Sequence, residues 1–338
     1  MQERAAAIVA AALVVIAARA ASPSEAAPYG QVEVRFENDG LSLAGSLLLP
    51  PGRNLPAVAM IHGSGTSGRS NQWAFSIADA LARCGIAVLI PDKRGSEKSQ
   101  GDWKTADITD LAADAHAGWE LLRGRPKIDS VRIGYVGLSQ GGHVVPLAAA
   151  TSPGAAFAIN MVGSTQIMEA QLYDELELAY RKRGLDQATI DYLQEFARFS
   201  FDYIRTGAGW ERYRERHREI ATGPFARAAE TWPTSPEDPY WTFWRGVYDF
   251  DPMPWWRRVV LQGIPALIVY GADDENVNVT ASVARLGEQL PDGGVTLRVY
   301  PGIGHDLRDP ATRQLQPEFV AETCEWLLAT GRRARGPF

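Results

Sequence analysis

A serine between two glycines, directly after an apolar run, constrains this chain more than any other feature. The run 131–136 has the composition of a buried strand, and Gly137-Leu138-Ser139-Gln140-Gly141 follows it. A strand that turns sharply into a helix forces the central residue toward strained backbone angles, so the side chains two positions before and after it must be nearly absent. The sequence therefore predicts a turn that exposes the Ser139 hydroxyl at the edge of a sheet, with the Gln140 N–H at a helix start, where negative charge is favoured. The pentapeptide alone leaves open a glycine-rich turn with a serine of no chemical role.

Short apolar runs alternate with helical patterns along most of the chain. Near-continuous apolar strands separated by helices are typical of an α/β fold, in which a mainly parallel sheet is covered on both faces. An opening β-hairpin is predicted at 31–37 and 41–49. Further strands are predicted at 56–61, 86–90, 131–136, 156–161, 265–270 and 296–300, and helices at 70–84, 106–122, after Ser139 and at 317–328.

This alternation stops between about residues 163 and 256, where no convincing strand occurs and helices are predicted at 166–183, 186–206, 210–221 and 225–232. The segment also holds six of the ten tryptophans. These rings either pack the helices together or line a pocket for an apolar group. We expect residues 163–256 to form a helical cap inserted into one catalytic core made of residues 27–162 and 257–338.

The first 26 residues have the pattern of a secretion signal. Arg4 precedes an uncharged, alanine-rich run from Ala5 to Ala18, and small residues follow. The run is shorter than the roughly 20 residues that a membrane-spanning helix needs. We therefore expect a secreted or periplasmic protein without a stable membrane anchor, and a retained anchor is the alternative.

Charge and cysteine usage exclude several classes of protein. The net charge of −6, without a run of Lys and Arg interleaved with aromatic residues, argues against a nucleic-acid partner. Cys84 and Cys324 are the only cysteines, too few for a cysteine-based metal site. In an oxidising compartment they could form a disulfide, but two separate buried thiols are the favoured interpretation.

A serine hydroxyl is a weak nucleophile, so it requires a base within hydrogen-bond reach and a carboxylate that orients the base. Three histidines follow Ser139 in the sequence. His143 lies one turn along the helix, and His217 lies in an Arg- and Glu-rich pattern typical of a solvated helix. His305 follows the last strand in a glycine-containing loop, which makes it the predicted base; a surface-loop histidine is the alternative.

The carboxylate is expected in the loop after the strand at 265–270, where three acidic residues compete. Asp274 is favoured because it stands between a glycine pivot, Gly271, and an apolar anchor, Val277. Asp273 and Glu275 are then expected to be solvated or to lie outside direct contact with the base.

A glycine-rich loop, Ile61-His62-Gly63-Ser64-Gly65, follows the first parallel strand. A backbone N–H near Ser64 could pair with that of Gln140 to form an oxyanion hole, and His62 would tether the loop. A phosphate cradle is the rival interpretation, but the loop lacks the Gly-Lys-Ser/Thr ending of a P-loop and the spacing of a dinucleotide site.

Five motifs together resemble the α/β-hydrolase superfamily, and more narrowly its bacterial serine esterases of the EstD type and its dipeptidyl-aminopeptidase and acylaminoacyl-peptidase relatives. The resemblance covers almost everything from Gln31 onward. It rests on HGSG (62–65), PDKRGSEKSQG (91–101), GLSQGG (137–142), GADDENV (271–277) and PGIGHDL (301–307).

The resemblance implies an α/β-hydrolase fold with a Ser139–His305–Asp274 triad and with Ser64 and Gln140 as oxyanion-hole donors. It also implies that Asp92 and Arg94 form structural ion pairs. The sequence departs from the pattern at two positions: Gln140 stands where such esterases often carry Glu, and Asn278 where many carry Pro.

The expected activity is hydrolysis of a small-molecule carboxylic ester through an acyl-enzyme, with no metal and no organic cofactor. One rival is an exopeptidase or amidase that uses the same triad, with acidic residues of the cap at the substrate amino terminus; the candidates are Glu169, Asp174, Glu175 and Glu177. The other is a catalytically silent binding protein with the same fold.

Overall fold

A computed structural model describes residues 27–230 and 232–333, so the predicted secretion signal, 1–26, lies outside the described residues. Eight strands form one sheet in the order β1-β2-β4-β3-β5-β6-β7-β8. The first two strands pair antiparallel and β2 pairs antiparallel with β4, while the remaining neighbours are parallel. The strands are β1 (Gly30–Asn38), β2 (Leu41–Leu49), β3 (Leu55–Ile61), β4 (Ala87–Pro91), β5 (Ile128–Leu138), β6 (Ala158–Met161), β7 (Ala266–Gly271) and β8 (Thr296–Tyr300).

Helices cover both faces of this sheet, which confirms the predicted α/β architecture. Every residue of β3 is buried, and its side chains alternate between two hydrophobic clusters, because successive residues of a strand point to opposite faces. The helices are α1 (Gln72–Arg83), α2 (Ile108–Arg123), α3 (Gln140–Thr151), α4 (Met168–Lys182), α5 (Gln187–Thr206), α6 (Trp210–Thr222), α7 (Ala226–Ala229), α8 (Pro239–Val247), α9 (Met253–Leu261), α10 (Val279–Gln289) and α11 (Pro317–Arg333).

The segment between β6 and β7 contains the helices α4 to α9 and no strand among its described residues. Three of the four predicted helices match α4, α5 and α6 closely, but the one predicted at 225–232 is a single turn, and α8 and α9 were not predicted. Trp241 and Trp256 are almost fully buried, whereas Trp244 lines a cleft beside Ser139. The role of this segment as a cap, and its boundaries at 163 and 256, stay predictions.

Cys84 and Cys324 form a disulfide, so the favoured interpretation of two separate thiols is wrong. Cys84 directly follows α1 and Cys324 lies in α11, with their Cα atoms 6.1 Å apart and a sequence separation of 240. The two helices pack on the same face of the sheet, which brings the two thiols within bonding distance.

None of the helices in the described part of the chain is long and apolar enough to cross a membrane.

Candidate active site

Ser139 occupies the sharp turn between β5 and α3 with a strained backbone, φ 53° and ψ −119°. The glycines on either side are required by close packing. A Cβ atom on Gly137 would lie 2.2 Å from the Gly141 carbonyl oxygen, and one on Gly141 would lie 2.3 Å from the Ile61 carbonyl oxygen. Both distances are far shorter than a van der Waals contact, so the predicted strand-to-helix turn with absent side chains is confirmed.

The glycine-rich loop after β3 packs directly against this turn. A Cβ atom on Gly63 would lie 3.2 Å from the Ser139 Cβ, and Ser64 lines the same cleft as Ser139 and Gln140. The two predicted oxyanion-hole residues, Ser64 and Gln140, therefore flank the serine from separate strand ends.

His62 tethers this loop through two hydrogen bonds of its ring, as the sequence predicts. Its Nε2 donates to the Pro91 carbonyl oxygen at 2.7 Å, which leaves Nδ1 to accept from the Ser67 hydroxyl at 3.0 Å. Burial lowers the pKa of His62 to about 4, so the ring is neutral near pH 7 and keeps this tautomer.

His305 and Asp274 form a buried pair at the same edge of the sheet. The His305 Nδ1 donates to both Asp274 carboxylate oxygens, at 3.0 and 2.9 Å. The Asp274 side chain is fully buried, and its Oδ1 also accepts the backbone N–H groups of Asn276 and Val277 at 2.8 and 2.9 Å. This arrangement fixes the proton on Nδ1 and leaves Nε2 as the hydrogen-bond acceptor that a general base requires.

Among the three acidic residues of this turn, Asp274 is the one whose carboxylate contacts the imidazole. The Glu275 carboxylate instead accepts the His305 backbone N–H at 3.4 Å and lies 3.5 Å from the Lys182 ammonium. The Trp73 ring lies near the imidazole, with ring centroids 5.7 Å apart and the ring planes at 41°.

The cleft that Ser139 lines reaches the turn that holds Asp274, because Val277 lines this cleft and its backbone N–H donates to the Asp274 carboxylate. Among the described residues, no hydrogen bond joins the Ser139 Oγ to the His305 ring. Glu175 of α4 lines the same cleft. Catalytic hydrogen bonds are often long in proteins without substrate and tighten in the complex.

Lys93 is a residue that the sequence analysis missed. Its ammonium donates to the Gly63 carbonyl oxygen at 2.9 Å and to the Gln140 Oε1 at 3.0 Å, so it bridges the two segments that carry the predicted oxyanion donors. Nothing in the sequence singles it out, because it lies between Asp92 and Arg94 in a turn that reads as a structural ion-pair motif.

Both neighbours of Lys93 form ion pairs, as the resemblance implies, but with partners outside the motif. The Asp92 carboxylate lies 2.6 Å from the Arg69 guanidinium, and Arg94 lies 2.7 Å from the Asp114 carboxylate. Lys93 itself therefore has neither of these carboxylates available as a counter-ion.

Comparison with known families agrees with this fold. A model of the alpha/beta hydrolase fold matches residues 56–308, about three quarters of the chain. The chain belongs to the alpha/beta hydrolase family.

This hydrolase is also similar to individual proteins. Two uncharacterized proteins of Mycobacterium tuberculosis strains are 34% identical to it over 139 residues, which is 41% of this chain and 47% of theirs. The chain thus spans about half the length of the curated relatives it matches.

Solved structures resemble the hydrolase over nearly its whole described length. The Pyrococcus furiosus esterase Pf2001 has a TM-score of 0.57 and 17% identity, covering 90% of this chain and 91% of its own. Est1E from Butyrivibrio proteoclasticus, solved with ferulic acid, has a TM-score of 0.57 and 18% identity, covering 90% of this chain and 100% of its own. At these identities the likeness shows the fold alone.

Proposed function

We propose that this hydrolase cleaves carboxylic esters through an acyl-enzyme intermediate on Ser139. The observation that carries the proposal is the buried Asp274–His305 pair, whose carboxylate accepts the backbone N–H of Val277, a residue that lines the cleft with Ser139. A strained serine between close-packed glycines and a histidine held by a buried carboxylate are the two halves of a serine-hydrolase site.

In the proposed reaction, His305 Nε2 takes the proton from the Ser139 hydroxyl as its oxygen attacks the ester carbonyl. The Asp274 carboxylate stabilises the imidazolium that forms. The backbone N–H groups of Ser64 and Gln140 stabilise the tetrahedral oxyanion. His305 then protonates the leaving alcohol, and a water molecule, activated by the same imidazole, releases the acid from Ser139.

Replacement of the serine tests this proposal. We expect Ser139→Ala to lower kcat on 4-nitrophenyl esters by at least about a thousandfold and to prevent labelling by a fluorophosphonate probe, while the melting temperature changes little. Ser130→Ala is the matched control, because Ser130 is an exposed serine near the other end of the same strand. Turnover that survives in Ser139→Ala would show that another residue is the nucleophile.

We also propose that the protein is exported. The Cys84–Cys324 disulfide supports this, since such bonds persist in oxidising compartments, as does the pattern of residues 1–26. Cell fractionation with mass spectrometry of the mature N-terminus checks it: full-length protein confined to the cytoplasm would refute export.

A further inference from the structure

The cleft beside Ser139 is lined by buried polar side chains whose hydrogen bonds are incomplete. Gln140, His143 and Gln171 are each at most 6% exposed and all line this cleft. The Gln140 Nε2, both ring nitrogens of His143 and the Gln171 Oε1 have no well-formed hydrogen bond within the described residues. Leaving a buried polar atom unpaired is unfavourable, so several such atoms around one cleft indicate that a polar group binds there.

The partners that these residues do have determine which atoms are free. The Gln140 Oε1 accepts from the Lys93 ammonium, which can only donate, so the free atom of Gln140 is the N–H donor. The Gln171 Nε2 donates to the Asn276 carbonyl oxygen at 2.7 Å, so the free atom of Gln171 is an acceptor.

His143 lines the same wall, and the Gln166 backbone lies close enough to its ring to act as a hydrogen-bond partner. Burial lowers the pKa of its ring to about 4, against a smaller opposing effect of the Gln166 backbone. The ring is therefore neutral near pH 7, with one nitrogen protonated.

Glu175 lines the same side of the cleft as Gln171. The two residues stand four apart on α4 and so share one face of the helix. Glu175 is open to the cleft and forms no ion pair with any described residue. The protein around the carboxylate desolvates it and raises its pKa, the nearby Asp274 charge also raises it, and His305 and the Gln171 amide lower it.

We propose that the cleft selects substrates that carry a protonated amine, bound between the Glu175 carboxylate and the Gln171 Oε1. This inference rests on the proposed ester hydrolysis and names the class of ester. A primary ammonium offers three N–H donors and a positive charge, which matches two adjacent acceptors of which one is a carboxylate. A protonated tertiary amine offers one N–H donor and the same charge, which still matches the carboxylate. A hydroxyl offers one donor and no charge, and an alkyl group offers neither. The free N–H of Gln140 would donate a hydrogen bond to an oxygen of the same substrate.

Two isosteric pairs of esters test the proposal, one for each side of the scissile bond. On the acyl side, 4-nitrophenyl 3-aminopropanoate is compared with 4-nitrophenyl butanoate, in which a methyl group replaces the ammonium. On the alcohol side, 2-(dimethylamino)ethyl acetate is compared with 3-methylbutyl acetate. We expect the amine ester of at least one pair to have a kcat/KM at least tenfold higher at pH 7, mostly through a lower KM.

Variants then assign the preference to the proposed residues. We expect Glu175→Gln to bring the ratio of kcat/KM between the amine ester and its neutral counterpart close to one. Gln171→Leu should also lower this ratio, by a smaller factor. Glu177→Gln should leave it unchanged, because the Glu177 carboxylate lies on the same helix but pairs with Arg181 at 2.6 Å. Thermal unfolding of each variant shows whether it is folded.

The outcomes separate this inference from the proposed function. Equal hydrolysis of both members of both pairs, or a preference that survives Glu175→Gln, overturns the amine site and leaves the esterase intact. If the protein hydrolyses none of the four esters and the fluorophosphonate probe does not label Ser139, both the esterase activity and the amine site are overturned.

Discussion

At the scale of single residues, Lys93 has the environment of a group that supports the proposed oxyanion hole. It is buried, it forms no ion pair with the described residues, and its two acceptors are neutral oxygens on the segments that carry Ser64 and Gln140. Desolvation lowers its pKa to about 7. A positive charge that lacks a carboxylate is stabilised when negative charge develops nearby, and it stabilises that charge in return.

We expect Lys93→Met to lower kcat on a 4-nitrophenyl ester by about 10- to 100-fold while KM changes by less than about threefold, since the lost interaction acts mainly in the transition state. Steady-state kinetics check this. Lys104→Met is the matched control: Lys104 lies over the same Trp103 ring as Lys93, but it is exposed. A KM that rises in proportion to the loss of kcat/KM would instead make Lys93 a substrate-binding residue.

At the scale of helices and strands, the turn that carries Ser139 depends on backbone contacts that admit no side chain. We expect Gly137→Ala to destabilise the protein by at least about 3 kcal/mol, because the added methyl group would meet the backbone of Gly141 and the Val145 side chain within 2.5 Å. Urea unfolding measures the change.

Gly287 provides the control for this substitution. It lies exposed inside α10, and an added Cβ atom would meet no heavy atom within 4 Å. Gly287→Ala should therefore stabilise the protein by about 0.5–1 kcal/mol through helix propensity alone. Equal effects of the two substitutions would contradict the packing account of the turn.

The sequence predicts the strands and the long helices better than the short helices, and the reason is physical. Strands such as β3 and β7 are short apolar runs bounded by turn residues. Their length and the flanking turns together indicate a buried strand. The helices α8 and α10 are short and begin after Asp238 and Asn278, whose side chains cap them; such local caps are weak signals in a sequence.

The site shows the same division. Glycines and strand ends in the sequence indicate the loops that hold Ser139, Asp274 and His305. No such signal distinguishes Lys93, Gln171 and Glu175, which have the pattern of ordinary polar residues of a turn and a surface helix. Only the packing of α4 against the sheet edge brings Gln171 and Glu175 to the cleft, and that packing depends on contacts between distant segments. The Ser139 nucleophile and its partners stay predictions until they are tested.

At the scale of the whole molecule, the disulfide joins the first helix of the core to the last. The chain-entropy model gives about 5 kcal/mol for closing a loop with the sequence separation of 240 between Cys84 and Cys324, and measured values are usually about 2–4 kcal/mol. The bond constrains the unfolded chain around nearly the entire sheet, and it lies on the face opposite the helices α2 and α3. Its contribution should therefore concern stability and not the chemistry at Ser139.

We expect the Cys84→Ser/Cys324→Ser double variant to lose about 2–5 kcal/mol of unfolding free energy and to keep the kcat of the parent protein below its lowered melting temperature. Urea unfolding and ester hydrolysis, measured on the same preparations, check both parts. Adding dithiothreitol should destabilise the parent protein and leave the double variant unaffected, because only the parent has a bond to reduce. A double variant as stable as the parent would show that the disulfide does not stabilise the fold. A kcat that fell while the protein remained folded would show that the disulfide also affects the proposed chemistry at Ser139.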